Sequence, residues 1–369
     1  MKIGITIDFE INFFSNGLQQ NIIILNDLIN NLESFTSFLI YKGNKIPNEF
    51  AKEDFCVPYS ILTNENSLSF DLIILMGFTV NKESLTILKR QNKKTKFILM
   101  QCGNQYIENM TFSLFEKKEY SPVDNLPELD EIWILPHYEK NISFMKTYYK
   151  NNNVKIVPFI WDSLFIDYQL KIYKNLFRNY EPYHLNKNSI IVMEPNLNSS
   201  KNCILPLYII ESFEQRFSKL IKSCNLLAAK NLIQNKYFIK LILNLNIYND
   251  RQDFLKLHKR KTLINAILNY GSIVLSHQQD NALNYLYFEV LYLGLPLLHN
   301  SKMISNYGYF YQENNIDQAV NQLKSILDNH ENNISIYKKK SKKLLNLYSS
   351  KNKKNKKSYY EFLISIKRD

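Results

Sequence analysis

The chain has 369 residues, of which 46 are Lys or Arg and 34 are Asp or Glu, for a formal charge of +12. Only eight are Gly, where average usage of about 7% would give roughly 26. With neither GxGxxG nor GxxxxGKS/T present, a glycine-built phosphate loop is excluded. Four scattered cysteines with no CxxC argue against a disulfide framework and a zinc site and fit a reducing compartment.

The length predicts two domains, and 45% hydrophobic residues supply two cores. The opening MKIGITIDFE turns acidic after a short apolar run and does not read as a secretory signal. No apolar run approaches the ~18 residues of a membrane span. The expected location is the cytoplasm.

In the first half, short apolar runs lie at Lys2–Ile7, Phe35–Tyr41, Phe70–Met76, Lys96–Met100, Glu131–Leu135 and Val154–Ile160. They are apolar throughout rather than alternating, as strands buried on both faces are. Helical patterns separate them, at Gly17–Asn31, Glu83–Gln91 and His137–Tyr149. Strand–helix alternation predicts a parallel sheet with helices on both faces.

Ligands of such sheets bind beyond the carboxyl ends of the strands. After the first strand stand Asp8 and Glu10, each a candidate general base or a solvated loop acid. Gly17 then opens a helix, with Ser15 or Asn16 as N-cap; its N–H groups face either a phosphate or nothing but the cap. Gln101-Cys102-Gly103-Asn104 ends the fourth run as a turn or a close backbone approach to a ligand. His137, after the fifth run, is either a catalytic or substrate contact or a capping or packing residue.

Residues 163–187 lack clear strands and read as a linker, with its core at 166–187. Alternation resumes with strand Ser189–Met193, a helix near Asn202–Arg216, strand Leu220–Leu226 and a helix near Leu232–Leu243. Strand Phe254–His258, helix Thr262–Asn269 and strand Ser272–Ser276 follow. Helix Ala282–Leu293, strand Pro296–His299 and helix Asp317–Asp328 complete a second doubly wound domain. The predicted division is therefore 1–165, linker 166–187, 188–335 and a Lys-rich helical tail 336–369.

Ser199 or Ser200 is expected to cap the helix after Met193, with Lys201 in its first turn. A cation is unfavourable there unless a diphosphate accompanies it. Arg260 follows a strand in the same layer, and the two cations together suit a diphosphate without a metal. No DxD motif occurs. Asp280 and Asn281 are expected to cap the helix carrying Glu289, and Gly294 to close it. Glu289 falls among apolar neighbours, so it is paired internally or accepts hydroxyls of a ligand.

Residues 338–357 hold ten lysines and no acid, which leaves about +2 for the rest of the chain. That argues against a nucleic-acid-binding body. The strip is either a solvated helix face or a surface that leans on anionic headgroups or an anionic acceptor. Leu344, Leu345, Leu347, Tyr348, Tyr359, Tyr360, Phe362, Leu363 and Ile366 recur at helical spacing and suggest that the tail docks back on the first domain.

Residues 289–297, EVLYLGLPL, resemble the EAxxxGxPV element of GT-B glycosyltransferases. More of the chain resembles a bacterial family of unknown function regarded as GT-B-like. The matching segments are SNGLQQN (15–21), CGN (102–104), LPHYEK (135–140), EPN (194–196) with Lys201, SHQxxNxLNYLYxE (276–289) and PLLHNS (296–301). The resemblance implies two tandem Rossmann-like domains facing a cleft, with the nucleotide-diphosphate sugar on the second and the acceptor on the first. It implies that Glu289 holds the ribose and that Lys201 and Arg260 hold the diphosphate. Asn281, Asn284, Tyr285 and His277 then line the donor, with Asn16 and Gly17 closing from the first domain. Many retaining members carry a Glu where this chain has Asn281, with Asp280 beside it, so the stereochemistry stays open. The implied activity is a metal-independent glycosyl transfer to a glycan, lipid-linked or protein acceptor, with Asp8, Glu10 and His137 as candidate catalytic groups. A nucleotide-sugar epimerase or hydrolase of the same fold and a non-catalytic nucleotide- or glycan-binding protein are the alternatives.

Overall fold

The computed structural model describes residues 1–368 except 44, 48, 64–68, 81, 92–93, 117–125, 127 and 180. The chain divides into two units, Met1–Asp162 with Tyr348–Asp369, and Ser163–Leu347.

The first unit contains strands β1 (Lys2–Asp8), β2 (Thr36–Lys42), β3 (Cys56–Pro58), β4 (Leu72–Leu75), β5 (Lys96–Gln101), β6 (Glu131–Ile134) and β7 (Val154–Ile156). They pair in parallel in the order β3-β2-β1-β4-β5-β6-β7. The order reverses between β1 and β4. Helices α1 (Gly17–Asn30), α2 (Lys82–Gln91), α3 (Gln105–Met110) and α4 (Ile142–Tyr149) belong to the crossovers. All four residues of β4 and all four of β6 are buried, which is why these strands read as unbroken apolar runs.

The second unit opens with α5 (Leu164–Ile172) and α6 (Lys174–Asn179). Then come β8 (Ser189–Val192), α7 (Ile204–Arg216), β9 (Ser223–Leu226), α8 (Lys236–Leu243), α9 (Asn246–Asn249) and β10 (Leu255–Leu257). Helix α10 (Leu263–Asn269), β11 (Ile273–Leu275), α11 (Tyr285–Tyr292), β12 (Leu297–His299), β13 (Tyr309–Phe310) and α12 (Ile316–Tyr348) follow. The strands are parallel in the order β10-β9-β8-β11-β12-β13, with the reversal between β8 and β11.

Helix α13 (Lys353–Arg368) belongs to the first unit. Tyr359, Leu363 and Ile366 are buried. Trp133 meets the rings of Tyr359 and Phe362 at 6.2 and 5.8 Å, and the Tyr359 hydroxyl donates to Pro158 O at 2.8 Å. Ahead of α13, Trp161 N–H donates to Tyr348 O at 2.8 Å and Ser350 N–H to Trp161 O at 3.1 Å.

The structure differs from the sequence expectation where tertiary packing overrides local pattern. The expected linker 166–187 folds into helix and turn within the second unit, because Phe165, Ile166 and Tyr183 are buried there. Residues 317–328 and the start of the Lys-rich stretch form one helix, since Ser341, Leu344 and Leu345 are buried on the same element as Ala319 and Leu323. The strands expected at 70–76 and 154–160 shorten to β4 and β7. Short elements also escaped the pattern, among them β3 and β13, three and two residues long, the four-residue α9 and the six-residue α3.

Gly294 ends α11 with φ +71°. Leu295 N–H reaches Val290 O at 3.1 Å and Gly294 N–H reaches Leu291 O at 3.2 Å, the two bonds of a Schellman cap. A Cβ there would collide with the Lys338 stem. Gly294→Ala should therefore cost about 1–2 kcal/mol from the backbone alone, plus the clash. Denaturant unfolding of the full chain reads the loss, and adding Lys338→Ala should recover the clash portion only.

Candidate functional site

The strand order reverses between β8 and β11, and ligands of such sheets bind beyond the carboxyl ends of the strands at that point. Two loops form the rim there, 193–203 after β8 and 276–284 after β11. Both are tied by side-chain amides. Asn196, in the left-handed region at φ +56°, accepts Cys203 N–H at 2.8 Å on Oδ1 and donates to Glu194 O at 2.9 Å. Asn198 accepts Ser200 N–H at 3.0 Å. Asn300, after β12, clamps Gln278 from both sides: it accepts its N–H at 3.0 Å and donates to its carbonyl at 2.9 Å. Gln279 N–H donates to Ser200 O at 2.8 Å, and Lys201 bridges to Gln278 through the backbone.

Glu194 sits between the loops, 1% exposed. Its carboxyl accepts the Ser276 hydroxyl, and Gln278 Nε2 donates to it at 3.2 Å. Ser276 Oγ, its proton spent on Glu194, accepts the Tyr287 hydroxyl at 2.9 Å. Burial pushes the Glu194 carboxyl up from an ordinary 4.5 to about 7, against the opposing pull of Ser276, the Lys201 charge, Gln278 and the His277 backbone. Beside it, burial pushes His277 down to about 4, so its ring is neutral at physiological pH.

The remaining residues expected in this unit take the following places. Asn281 is 3% exposed and donates to Gln278 Oε1. Neither it nor Asp280 caps α11: Asp280 has φ +54°, and Asn284 is the N-cap, accepting Leu286 N–H at 3.1 Å. The chain needs three further residues to turn from the amide-clamped loop into helical direction. Tyr285 and Glu289, 8% and 6% exposed, belong to the helix itself. Lys201 is likewise not in a helical turn. Helix α7 starts at Ile204, and neither Ser199 nor Ser200 caps it. The backbone of Lys201 is held instead by the two bridges to Asn198 and Gln278. Arg260 lies on the exposed loop after β10. That loop is fixed by His258, whose Nε2 is 3.0 Å from Asn225 Oδ1 and whose ring lies against Tyr270. At ~4.8 Å per strand, β10 and β8 are about 10 Å apart, within reach of two long cationic side chains.

In the first unit, Asp8 ends β1 and accepts Glu10 N–H at 3.0 Å, while the Glu10 side chain is exposed. Asn16, rather than Ser15, caps α1 by accepting Leu18 N–H at 3.0 Å, and Gly17 is the first helical residue. His137 lies in the 3-10 turn Pro136–Asn141 after β6, its ring 4.0 Å from that of Tyr138. Three strand spacings, about 14 Å, separate β6 from β1. The sheet therefore does not bring His137 together with Asp8 and Glu10.

Glu194, Ser276, Tyr287 and Tyr311 form the centre of the second-unit site, and sequence reasoning assigned none of them a role. The signal for Glu194 was available, an acid directly following an apolar strand. The tyrosines are lost among 25 in the chain.

Because Glu194 is raised in the folded state, its contribution to stability is full below pH 4.5 and is lost as pH rises through about 7. The span corresponds to roughly 3 kcal/mol. Glu194→Gln stays uncharged, so its melting temperature relative to wild type should climb from pH 5 to pH 8. Thermal unfolding across that range measures it, and parallel pH curves would contradict the buried carboxyl.

A family model described as a protein of unknown function (DUF2827) matches residues 3–363, and the chain belongs to that family. No curated protein sequence matches it. Among solved structures it is similar to a glycosyltransferase from Rickettsia africae, at 13% identity over 100% of this chain and 99% of that one, with a TM-score of 0.59. It is also similar to Anabaena HepE in complex with UDP-glucose, at 9% identity, 99% and 100% coverage and a TM-score of 0.59. WaaG, a glycosyltransferase involved in lipopolysaccharide biosynthesis, matches at 10% identity, 97% and 99% coverage and a TM-score of 0.55. At these identities the likeness shows the fold, two doubly wound α/β units in tandem of the GT-B class.

Proposed function

We propose that this member of the DUF2827 family is a glycosyltransferase. It moves a sugar from a nucleotide-diphosphate sugar to a glycan, lipid-linked or protein acceptor. The observation that carries the reading is the braced polar rim at the β8/β11 reversal, where Lys201 and Gln278 are fixed over a buried carboxyl. Such bracing suits a site that must hold a charged ligand without reorganising.

On this reading the sugar–phosphate bond breaks as the acceptor hydroxyl attacks. The leaving diphosphate keeps the bonding electrons, and Lys201 and Arg260 balance its charge. The two cations make a divalent metal unnecessary. Glu289 accepts the ribose hydroxyls, with Asn281, Asn284 and Tyr285 beside the donor. The first unit serves the acceptor, with Asp8 or Glu10 taking its proton at the end of β1. His137, three strands away, is the weaker candidate.

A panel of UDP-, GDP-, TDP- and ADP-sugars tests this by thermal shift and nucleoside-diphosphate release. At least one should stabilise the chain, and release should rise with added acceptor. No shift with any of them would end the proposal, and release without acceptor would favour a hydrolase or epimerase. Glu289→Ala should weaken the active donor by tenfold or more while leaving the far-ultraviolet circular dichroism unchanged.

The reading extends to a cytoplasmic location at an anionic membrane face. No helix among the described residues is long and apolar enough to cross a membrane. Lys339, Lys340, Lys342, Lys343, Lys353 and Lys354 are exposed within a stretch that lacks acids. Each lysine near an anionic surface contributes about 1 kcal/mol. Replacing Lys339, Lys340, Lys343 and Lys354 by Ser should abolish sedimentation with phosphatidylglycerol vesicles at low salt, with donor turnover in solution kept. Unchanged sedimentation would remove the tail from this role.

A further inference from the structure

His277 follows Ser276 directly at the end of β11, and its Nδ1 lies 3.1 Å from the Tyr311 hydroxyl. That hydroxyl has one proton, which it donates to Ser276 O at 3.2 Å. It can therefore only accept from the ring, so Nδ1 carries the N–H. Tyr311 is itself 0% exposed, so its hydroxyl has no solvent as an alternative partner. The ring is neutral, because burial holds its pKa near 4. Its second nitrogen, Nε2, is then a bare lone pair, with no hydrogen bond among the described residues. The ring is half-buried at the rim that Lys201 and Gln278 share.

A bare lone pair cannot serve a phosphate, whose oxygens bring no proton at neutral pH and repel it. It serves a hydroxyl. We propose that His277 Nε2 accepts a hydrogen bond from a hydroxyl of the bound donor, and that Tyr311 is the positioning residue that fixes the tautomer for this task. The assignment rests on the nucleotide-sugar reading above, and it narrows the role of His277 from lining the donor to bonding one of its hydroxyls. The hydroxyl belongs either to the transferred sugar or to the ribose.

The test uses the full chain, titrated by calorimetry with UDP-, GDP-, TDP- and ADP-glucose and with the four free nucleoside diphosphates. His277→Ala should weaken the best-bound nucleotide sugar about tenfold. His277→Gln, which presents an amide oxygen in place of the lone pair, should restore most of the loss. Tyr311→Phe should weaken binding while leaving His277 in place. A loss confined to the nucleotide sugar assigns the sugar hydroxyl, and an equal loss with the free diphosphate assigns the ribose; either supports the proposal. Unchanged affinity of His277→Ala for both overturns it with the donor reading intact. A long-range nitrogen–proton correlation spectrum of the unliganded chain should show the proton on Nδ1, and finding it on Nε2 overturns the proposal as well. Wild type binding none of the eight compounds removes the donor reading and this assignment with it, a result in which no His277 variant takes part.

Discussion

A carboxyl group buried at the end of β8 sets the terms for everything around it. The Glu194 carboxyl finds its partners, Ser276 and Gln278, in the loop after β11. An unpaired buried carboxyl would cost several kcal/mol. The two loops at the reversal are therefore locked to each other, and what they carry is locked with them. Ser276 is the joint: its side chain faces Glu194 and Tyr287, and its carbonyl faces Tyr311. Lys201 stands at the rim of the same assembly, its charge part of what opposes the burial of the carboxyl.

The two carboxyl edges are built from different chemistry. In the second unit the rim holds a buried acid, cations and a neutral imidazole. In the first, the ordering groups are amides and a phenol: Asn16 caps α1, Asn104 joins Asn141 at 2.9 Å and Gln105 receives the Tyr149 hydroxyl at 3.1 Å. On the proposed reading this contrast matches the ligands. The diphosphate demands cations, and an acceptor hydroxyl demands polar groups that bond it and a base, Asp8 or Glu10, that takes its proton. The glycine shortage fits the same picture, since a loop held by Asn196, Asn198 and Asn300 obtains its turns from amide side chains.

The fold was legible because strands buried on both faces leave continuous apolar runs, and the helices between them keep their period. The strands at both reversals, β1, β4, β8 and β11, were all visible in this way. Short elements were not, because β3 and β13 hold too few residues to carry a pattern. Helix starts were displaced where an amide did the capping from outside the apolar period, as Asn284 does for α11. The site was legible as positions along the chain, and Lys201, His277 and Asn281 do meet at one rim. Its centre was not, because a hydrogen-bonded chain of Glu194, Ser276 and Tyr287 spans 94 positions and leaves no local trace.

The first unit is interrupted in sequence by the whole of the second. This has a consequence for the order in which the protein comes into being. When residue 162 has been made, the first sheet is complete in strands, yet the face of Trp133 that Tyr359 and Phe362 cover is still bare. Nearly two hundred further residues, including an entire second sheet, must be translated before those rings arrive. The nascent first unit thus waits with an aromatic face open to water, a period in which a chaperone or premature association competes with the intended partner. Tyr359 and Phe362 of α13 cover it last, so the two units finish in the reverse of the order in which they began.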